Sequence, residues 1–355
     1  MWDVRAYRTP DRRRSTARIF GAVLLPCALL LSACSADQPA PTASPRASQA
    51  ESSYTAPPAT ETAPLRGTSV PTGSLAHPSL AAKIDNHEAA RPQFGLERTD
   101  VVFEELVEGG LTRYVAVWHS DIPDVVGPIR SIRPMDPDII APLGGIVAYS
   151  GGQQQFIDLM TRTSVVNAAF DSDETGLFSR TGEREAPHNV VLQSKALVDR
   201  NDTVPAPSQQ FAYAATVPES SATVDGTPVT TISSRFSDSR WPDWTWDAAS
   251  TSYLRNQEGA PDLDAGGVQL RSTNVLALRV EIDDTYLNVP KTTMIGSGEA
   301  WVSAGGKTVH ALWTKAAQDA PIRLTDDNGV TIRLAAGNTW IELVPVDRGS
   351  VTLVP

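Results

Sequence analysis

The chain has 355 residues, 41% of them hydrophobic, with a formal net charge of −11. That length suffices for two domains and a long tail, and the acidic balance removes the phosphate-backbone attraction that drives nucleic-acid binding. With only two cysteines, neither a disulfide framework nor a thiolate metal site is available.

The first residues set the compartment. Arg5, Arg8, Arg12, Arg13, Arg14 and Arg18 form a basic front, followed by the apolar run Ile19 to Leu31 and the small residues Ser32 and Ala33. This pattern describes a secretory signal at residues 1–33, too short for a comfortable membrane span. Leu31-Ser32-Ala33-Cys34 resembles the lipobox of bacterial lipoproteins. That resemblance implies cleavage before Cys34 and acylation of its thiol, placing the protein on the outer face of the cell membrane, held by its lipid chains. Removing the signal takes away six Arg and two Asp, leaving 24 basic and 39 acidic residues and a net charge of −15.

Residues 34–78 read as a disordered linker. Eight prolines fall between Ala36 and Pro78, among Ser, Thr and Ala. Such a segment buries too little apolar surface to offset its ordering entropy. It would reach ~35–40 Å as a coil and ~135 Å as polyproline II.

Residues 79–205 carry strands alternating with helical segments, the pattern of a mixed α/β layer domain. "LAAKID" reads as a buried strand, and "VVFEELV" and "TRYVAVW" as a hairpin around Glu108-Gly109-Gly110-Leu111. "VVGPIRSI" and "GIVAYS" read as further strands, with a short helix over Asp136 to Leu143 and a longer one over Gln153 to Arg162. Residues 206–355 read as a β-rich domain, a sandwich or small barrel. Its seven short runs are "TTISSRF", "DWTWD", "VLALRVEI", "EAWVSA", "KTVHALWT", "GVTIRLA" and "NTWIELV". The whole is an α+β protein.

No nucleophile elbow, zincin helix, phosphate loop or dinucleotide fingerprint is present. The five histidines lack metal-ligand spacing, and "DLDAGG" (Asp262 to Gly267) opens like a calcium loop but lacks the later ligands, as an acidic turn would. Arginine and carboxylate concentrate in the first domain: Arg91, Arg113, Arg130, Arg133 and Arg180, with Asp100, Glu104, Glu105 and Asp136. Between Leu80 and Arg200 there are nine Arg and two Lys. Guanidinium forks match phosphate or carboxylate bidentately, so one reading is a clamp on an anionic ligand. The other reading pairs these arginines internally with Asp85, Asp100, Glu104 and Glu105. Strand alternation puts Glu104 and Glu105 on opposite faces, only one of them shared with Phe103. His188 with Asn189 reads either as a general base with an orienting amide or as a satisfied loop histidine. Trp241, Trp244 and Trp246 suit either a sugar platform or the core of a β domain.

The string "KIDNHEAARPQFGLERTDVVFEELVEGGLTRYVAVW", "GPIRSIRP", "AYSGG" and "PHN" looks like the YerB-like family of bacterial lipoproteins, as do "GSGEAWVSAGGKTVHALWTK" and "LAAGNTWIELVP" further on. The resemblance covers residues 75–345 and implies an N-terminal α/β domain and a C-terminal β-rich domain, exported and lipid-anchored, with no activity attached. "ERTDVVF", "SIRP" and "AYSGG" also resemble, more weakly, the LytR-Cps2A-Psr phosphotransferases of the bacterial wall. That resemblance implies a polyprenyl-pyrophosphate substrate and Mg²⁺, with Asp100 on the metal side and Arg133, Arg91 and Arg113 on phosphate. The chain departs from that family where Arg133-Pro134-Met135-Asp136 replaces Pro-Arg-Asp.

Three functions follow as expectations: a lipoprotein binding an anionic wall polymer or an envelope protein, a metal-assisted phosphotransferase, and a scaffold without a small ligand. They divide on whether the guanidiniums of Arg91, Arg113, Arg130, Arg133 and Arg180 share an open cleft.

Overall fold

Long runs of β-branched and aromatic residues assemble here into one dominant sheet. The computed structural model describes residues 56–355, so the export signal expected at residues 1–33 and the expected acceptor Cys34 lie outside the described residues. Strands make up 40% of the structure and helices 14%. It is thus an α+β fold weighted heavily toward β.

In chain order, the first half contains β1 (Thr60–Thr62), β2 (Ser69–Pro71), β3 (Leu80–Asp85), β4 (Val101–Leu106), β5 (Thr112–Trp118) and β6 (Val125–Val126). Next come α1 (Asp136–Ile140), β7 (Ile146–Tyr149), α2 (Gln154–Thr161), β8 (Val166–Ala169), β9 (Phe178–Arg180), β10 (Val190–Gln193) and α3 (Ser194–Asp199). The second half contributes β11 (Thr231–Arg235), β12 (Asp243–Asp247), β13 (Ser252–Gln257) and β14 (Asn274–Val280). It ends with β15 (Gly296–Ala304), β16 (Lys307–Lys315), β17 (Thr339–Pro345) and β18 (Ser350–Val354), with shorter strands between.

The dominant sheet has eleven strands, in the order Thr227–Pro228, β16, β15, β14, β17, β4, β5, β3, β7, β8, with Arg323–Thr325 added beside β16. It crosses from one sequence half to the other where β17 pairs in parallel with β4, Ile341 opposite Phe103. Every residue of β3, β4, β5 and β17 is buried, as expected of strands covered on both faces. On one face Phe103, Val115 and Val117 pack with Ile139 of α1 and Phe156 and Met160 of α2. On the other, Val102, Tyr114, Trp118 and Trp340 meet two smaller sheets. One is six-stranded, built on β11, β12, β13 and β18, and supplies Ile232, Trp244 and Tyr253. The other, β6-β10-β9, supplies Val126, Leu192 and Phe178. The second half, read from its sequence as a sandwich or small barrel, thus packs its six-stranded sheet on a sheet that both halves build.

Three expectations need correction. The linker does not run unbroken to residue 78: β1 pairs with β2, and Leu65 is buried in the main core. The proline-rich composition of this stretch hides its few apolar anchors, Ala63, Leu65 and Leu75. "VVGPIRSI" is not one strand. Pro128 offers no amide donor, and beyond β6 only isolated bridges at Gly127 and Ile129 remain. "GVTIRLA" likewise reduces to a two-residue strand at Arg333–Leu334.

Candidate functional site

The register of the central strands brings charge together at one end of the sheet. Arg113, near the start of β5, lies opposite Asp85 of β3 on one side and Glu105 of β4 on the other. Beside them runs the irregular segment 127–135, pinned to the sheet by Arg130 N–H donating to Lys83 O (2.7 Å) and Ile132 N–H donating to Gly151 O (3.0 Å). This segment brings in Arg130 and Arg133. The result is an open cleft of about 280 Å³ whose lining includes Asp85, His87, Glu108, Arg113, Arg130, Arg133 and His188.

Arg130 Nε lies 3.2 Å from Asp85 Oδ2, and Arg133 Nε donates to Glu108 Oε2 at 2.8 Å. Arg113 is different. Its Nη1 donates to the carbonyl of Ser131 at 2.9 Å, and among the described residues no carboxylate lies within ion-pair distance of it. Burial, followed by the charge of Arg133, pushes this guanidinium down to about 10, an expensive position for an always-charged group. Burial opposes ionisation of Glu108 too, but its hydrogen bond to Arg133 and that residue's charge hold the carboxyl below its ordinary range. His188 Nδ1 is 2.7 Å from Asp85 Oδ2, and the His188 ring stacks on His87 with centroids 4.4 Å apart.

Behind the cleft, Lys83 Nζ donates to Asp136 Oδ1 at 2.8 Å and pairs with Glu105. Asp136 Oδ2 in turn accepts the backbone N–H of Arg133 at 2.5 Å, which fixes where that arginine leaves the chain. The turn at Glu108–Gly110 needs two consecutive residues at φ +71°, and Gly109 and Gly110 meet that need.

The structure thus brings together Arg113, Arg130, Arg133 and His188 of the sequence-predicted set. Arg91 lies outside the cleft lining, tied to Glu258 Oε2 and Asn86 Oδ1, each at 2.9 Å. Arg180 also lies outside, donating to Asn189 Oδ1 at 2.7 Å with its guanidinium 4.9 Å from the centre of the Phe170 ring. Asn189 therefore does not orient His188; Asp85 does. Glu104 and Glu105 part as alternation requires, Glu105 going to Lys83 and Glu104 to Arg255 at 2.5 Å between the sheets. Trp244 is buried core, while Trp241 is exposed. Sequence reasoning missed His87 and Glu108. The signal for both was the strand ends: each follows closely on a strand that finishes level with Arg113.

Asp100 stands apart. It precedes β4, five residues from the Glu105 that faces Arg113, or ~17 Å along the strand. Its Oδ2 accepts the N–H groups of His119 and Ser120, both at 2.7 Å, and Oδ1 lies 3.4 Å from Arg66 Nη1. The residues do not fit a metal held between Asp100 and the cleft arginines. Among the described residues, no group of three His, Cys, Asp or Glu is arranged to hold a metal ion.

The family description "Protein of unknown function (DUF3048) N-terminal domain" matches residues 66–206, and the description of its C-terminal domain matches residues 232–341. The chain belongs to the DUF3048 family. The cleft residues all fall within the family's N-terminal domain, and the match to its C-terminal domain ends inside β17, at Ile341. A curated relative, "Putative lipoprotein YerB" of Bacillus subtilis (strain 168), is 32% identical over 130 residues, or 36% of this chain. That alignment spans 38% of the relative's own length. The crystal structure of the YerB protein from Bacillus subtilis superposes with a TM-score of 0.72 at 20% identity, over 82% of this chain and 99% of the other. It shares this fold.

Proposed function

We propose that the protein is a lipoprotein, lipid-anchored on the outer face of the cell membrane, that holds an anionic group of an envelope ligand in the cleft of Arg113, Arg130 and Arg133. The observation that carries this reading is Arg113, a nearly buried guanidinium in an open cleft without a carboxylate partner among the described residues. A chain gains nothing in stability by burying an unmatched charge, so the arrangement makes sense if an anion from outside completes it. The planar forks suit phosphate or carboxylate. Anchoring is supported by the lipobox-like Leu31 to Cys34 and by a relative that carries the name lipoprotein. A scaffold without a ligand would pair its buried arginines with carboxylates, which Arg91, Arg130 and Arg133 do and Arg113 does not.

The test is calorimetric titration with a phosphate-bearing wall polymer. Arg113→Ala and Arg133→Ala, both still folded, should each weaken binding about tenfold or more, the worth of a lost charge-assisted hydrogen bond. Unchanged affinity in both variants would remove the proposal. For the anchor, labelled palmitate should enter the wild-type chain and not Cys34→Ser.

A further inference from the structure

Two histidines complete the cleft, and their hydrogen bonds give them opposite proton roles. His188 Nδ1 faces Asp85 Oδ2 at 2.7 Å and must donate to it, because an ionised carboxylate only accepts. In the neutral ring this leaves Nε2 as a bare acceptor, and among the described residues that atom has no partner. His87 is wired the other way. Its Nδ1 accepts the N–H of Ala89 at 3.1 Å, so its Nε2 carries the proton, and that atom too has no partner among the described residues. The stacked rings line the cleft beside the three arginines. Asp85 is held in turn by Arg130 and by the N–H of His87 at 3.1 Å, which fixes the carboxylate that orients His188.

Charge sets the substrate class. Arg130 pairs with Asp85 and Arg133 with Glu108, which leaves Arg113 as the one guanidinium of the cleft without a carboxylate partner among the described residues. A phosphate diester carries a single negative charge. We infer that the cleft hydrolyses a phosphodiester, with His188 as proton acceptor and His87 as hydrogen-bond donor to the leaving oxygen. This rests on the anion-binding reading above and adds an activity to it. His188 Nε2 takes a proton from water, and the water oxygen bonds to phosphorus. The bond from phosphorus to the ester oxygen breaks, with the departing oxygen accepting a hydrogen bond from His87 Nε2–H and taking its proton from a solvent water. His188 then gives its extra proton to the hydroxide left in solvent, which restores the ring. Asp85 is a positioning residue.

The experiment uses the purified full chain with two diesters. Bis(p-nitrophenyl) phosphate expels a phenolate that needs no proton, whereas glycerophosphoglycerol expels an alkoxide that does. His188→Gln should lower kcat at least ~100-fold on both with KM little changed, the usual share of a general base. His87→Gln should spare the aryl diester and lose a similar factor on the glycerol diester. Asp85→Asn should lower kcat on both. Failure of the wild type to hydrolyse either diester above the buffer rate, while dimethyl phosphate still binds, would overturn the inference and leave the binding reading standing. Loss of that binding as well would overturn both. Turnover that survives in His188→Gln, or an equal loss on both diesters in His87→Gln, would also overturn the assigned roles.

Discussion

Arg255 of β13 and Glu104 of β4 meet at 2.5 Å in the space between the two large sheets, both fully buried. The same guanidinium pairs with Asp262 and lies 4.9 Å from the centre of the Trp340 ring. Next to it, Glu342 of β17 accepts the indole N–H of Trp244 at 2.6 Å. Burial, and then the charge of Glu104, pushes the Glu342 carboxyl well up. A polar knot thus ties the six-stranded sheet to the eleven-stranded one through side chains from both halves of the sequence.

Arg255→Met should lower stability by about 3–5 kcal/mol in urea unfolding, because it strands Glu104 and Asp262 without their cation. A change under 1 kcal/mol would mean that water reaches the knot.

Arg113→Met should do the opposite. Removing an unmatched buried guanidinium should raise stability by roughly 1–3 kcal/mol while anion binding is lost. Chemical denaturation and calorimetry on one preparation measure both. A loss of stability would show that Arg113 is structural.

Glu97 gives a pH signature. It sits beside Asp264, whose Oδ2 accepts the N–H of Leu96 at 3.1 Å, and burial followed by Asp264 pushes its carboxyl up to about 7. A raised carboxyl adds stability that is complete below about 4.5 and is lost as the pH rises through about 7. Because the group is partly exposed, screening limits the effect to about 1–2 kcal/mol. Thermal melts from pH 4 to 8 should show this slope in the wild type and a flatter one in Glu97→Gln.

Asp100→Asn should cost about 1–3 kcal/mol through weakened hydrogen bonds to His119, Ser120 and Arg66. Anion affinity should stay the same, with or without Mg²⁺. A selective loss of binding would restore Asp100 to the site.

The strands with continuous or alternating apolar runs were legible in the sequence: β3, β4, β5, β14 and β17 occur where their patterns predict. The arginine cleft was half legible. Arg113, Arg130 and Arg133 converge because the hairpin and the segment after β6 end together, which strand lengths foreshadow. Arg91 and Arg180 were misplaced because each has a partner no spacing rule connects, Glu258 in the other half of the chain and Asn189 across a short strand pair. Arg255 was invisible for the same reason: only the stacking of two sheets puts it on Glu104. Composition also misled at Leu65, where a single apolar anchor outweighs a proline-rich neighbourhood.

Since β17 slots between β14 and β4, the amino-terminal half cannot finish its hydrogen-bond ladder until Thr339–Pro345 has been made. A fragment ending before Thr339 would carry β4 as a raw, self-adhesive edge. The two family domains are therefore one folding unit, and cutting the gene at their boundary should yield insoluble halves rather than two working modules.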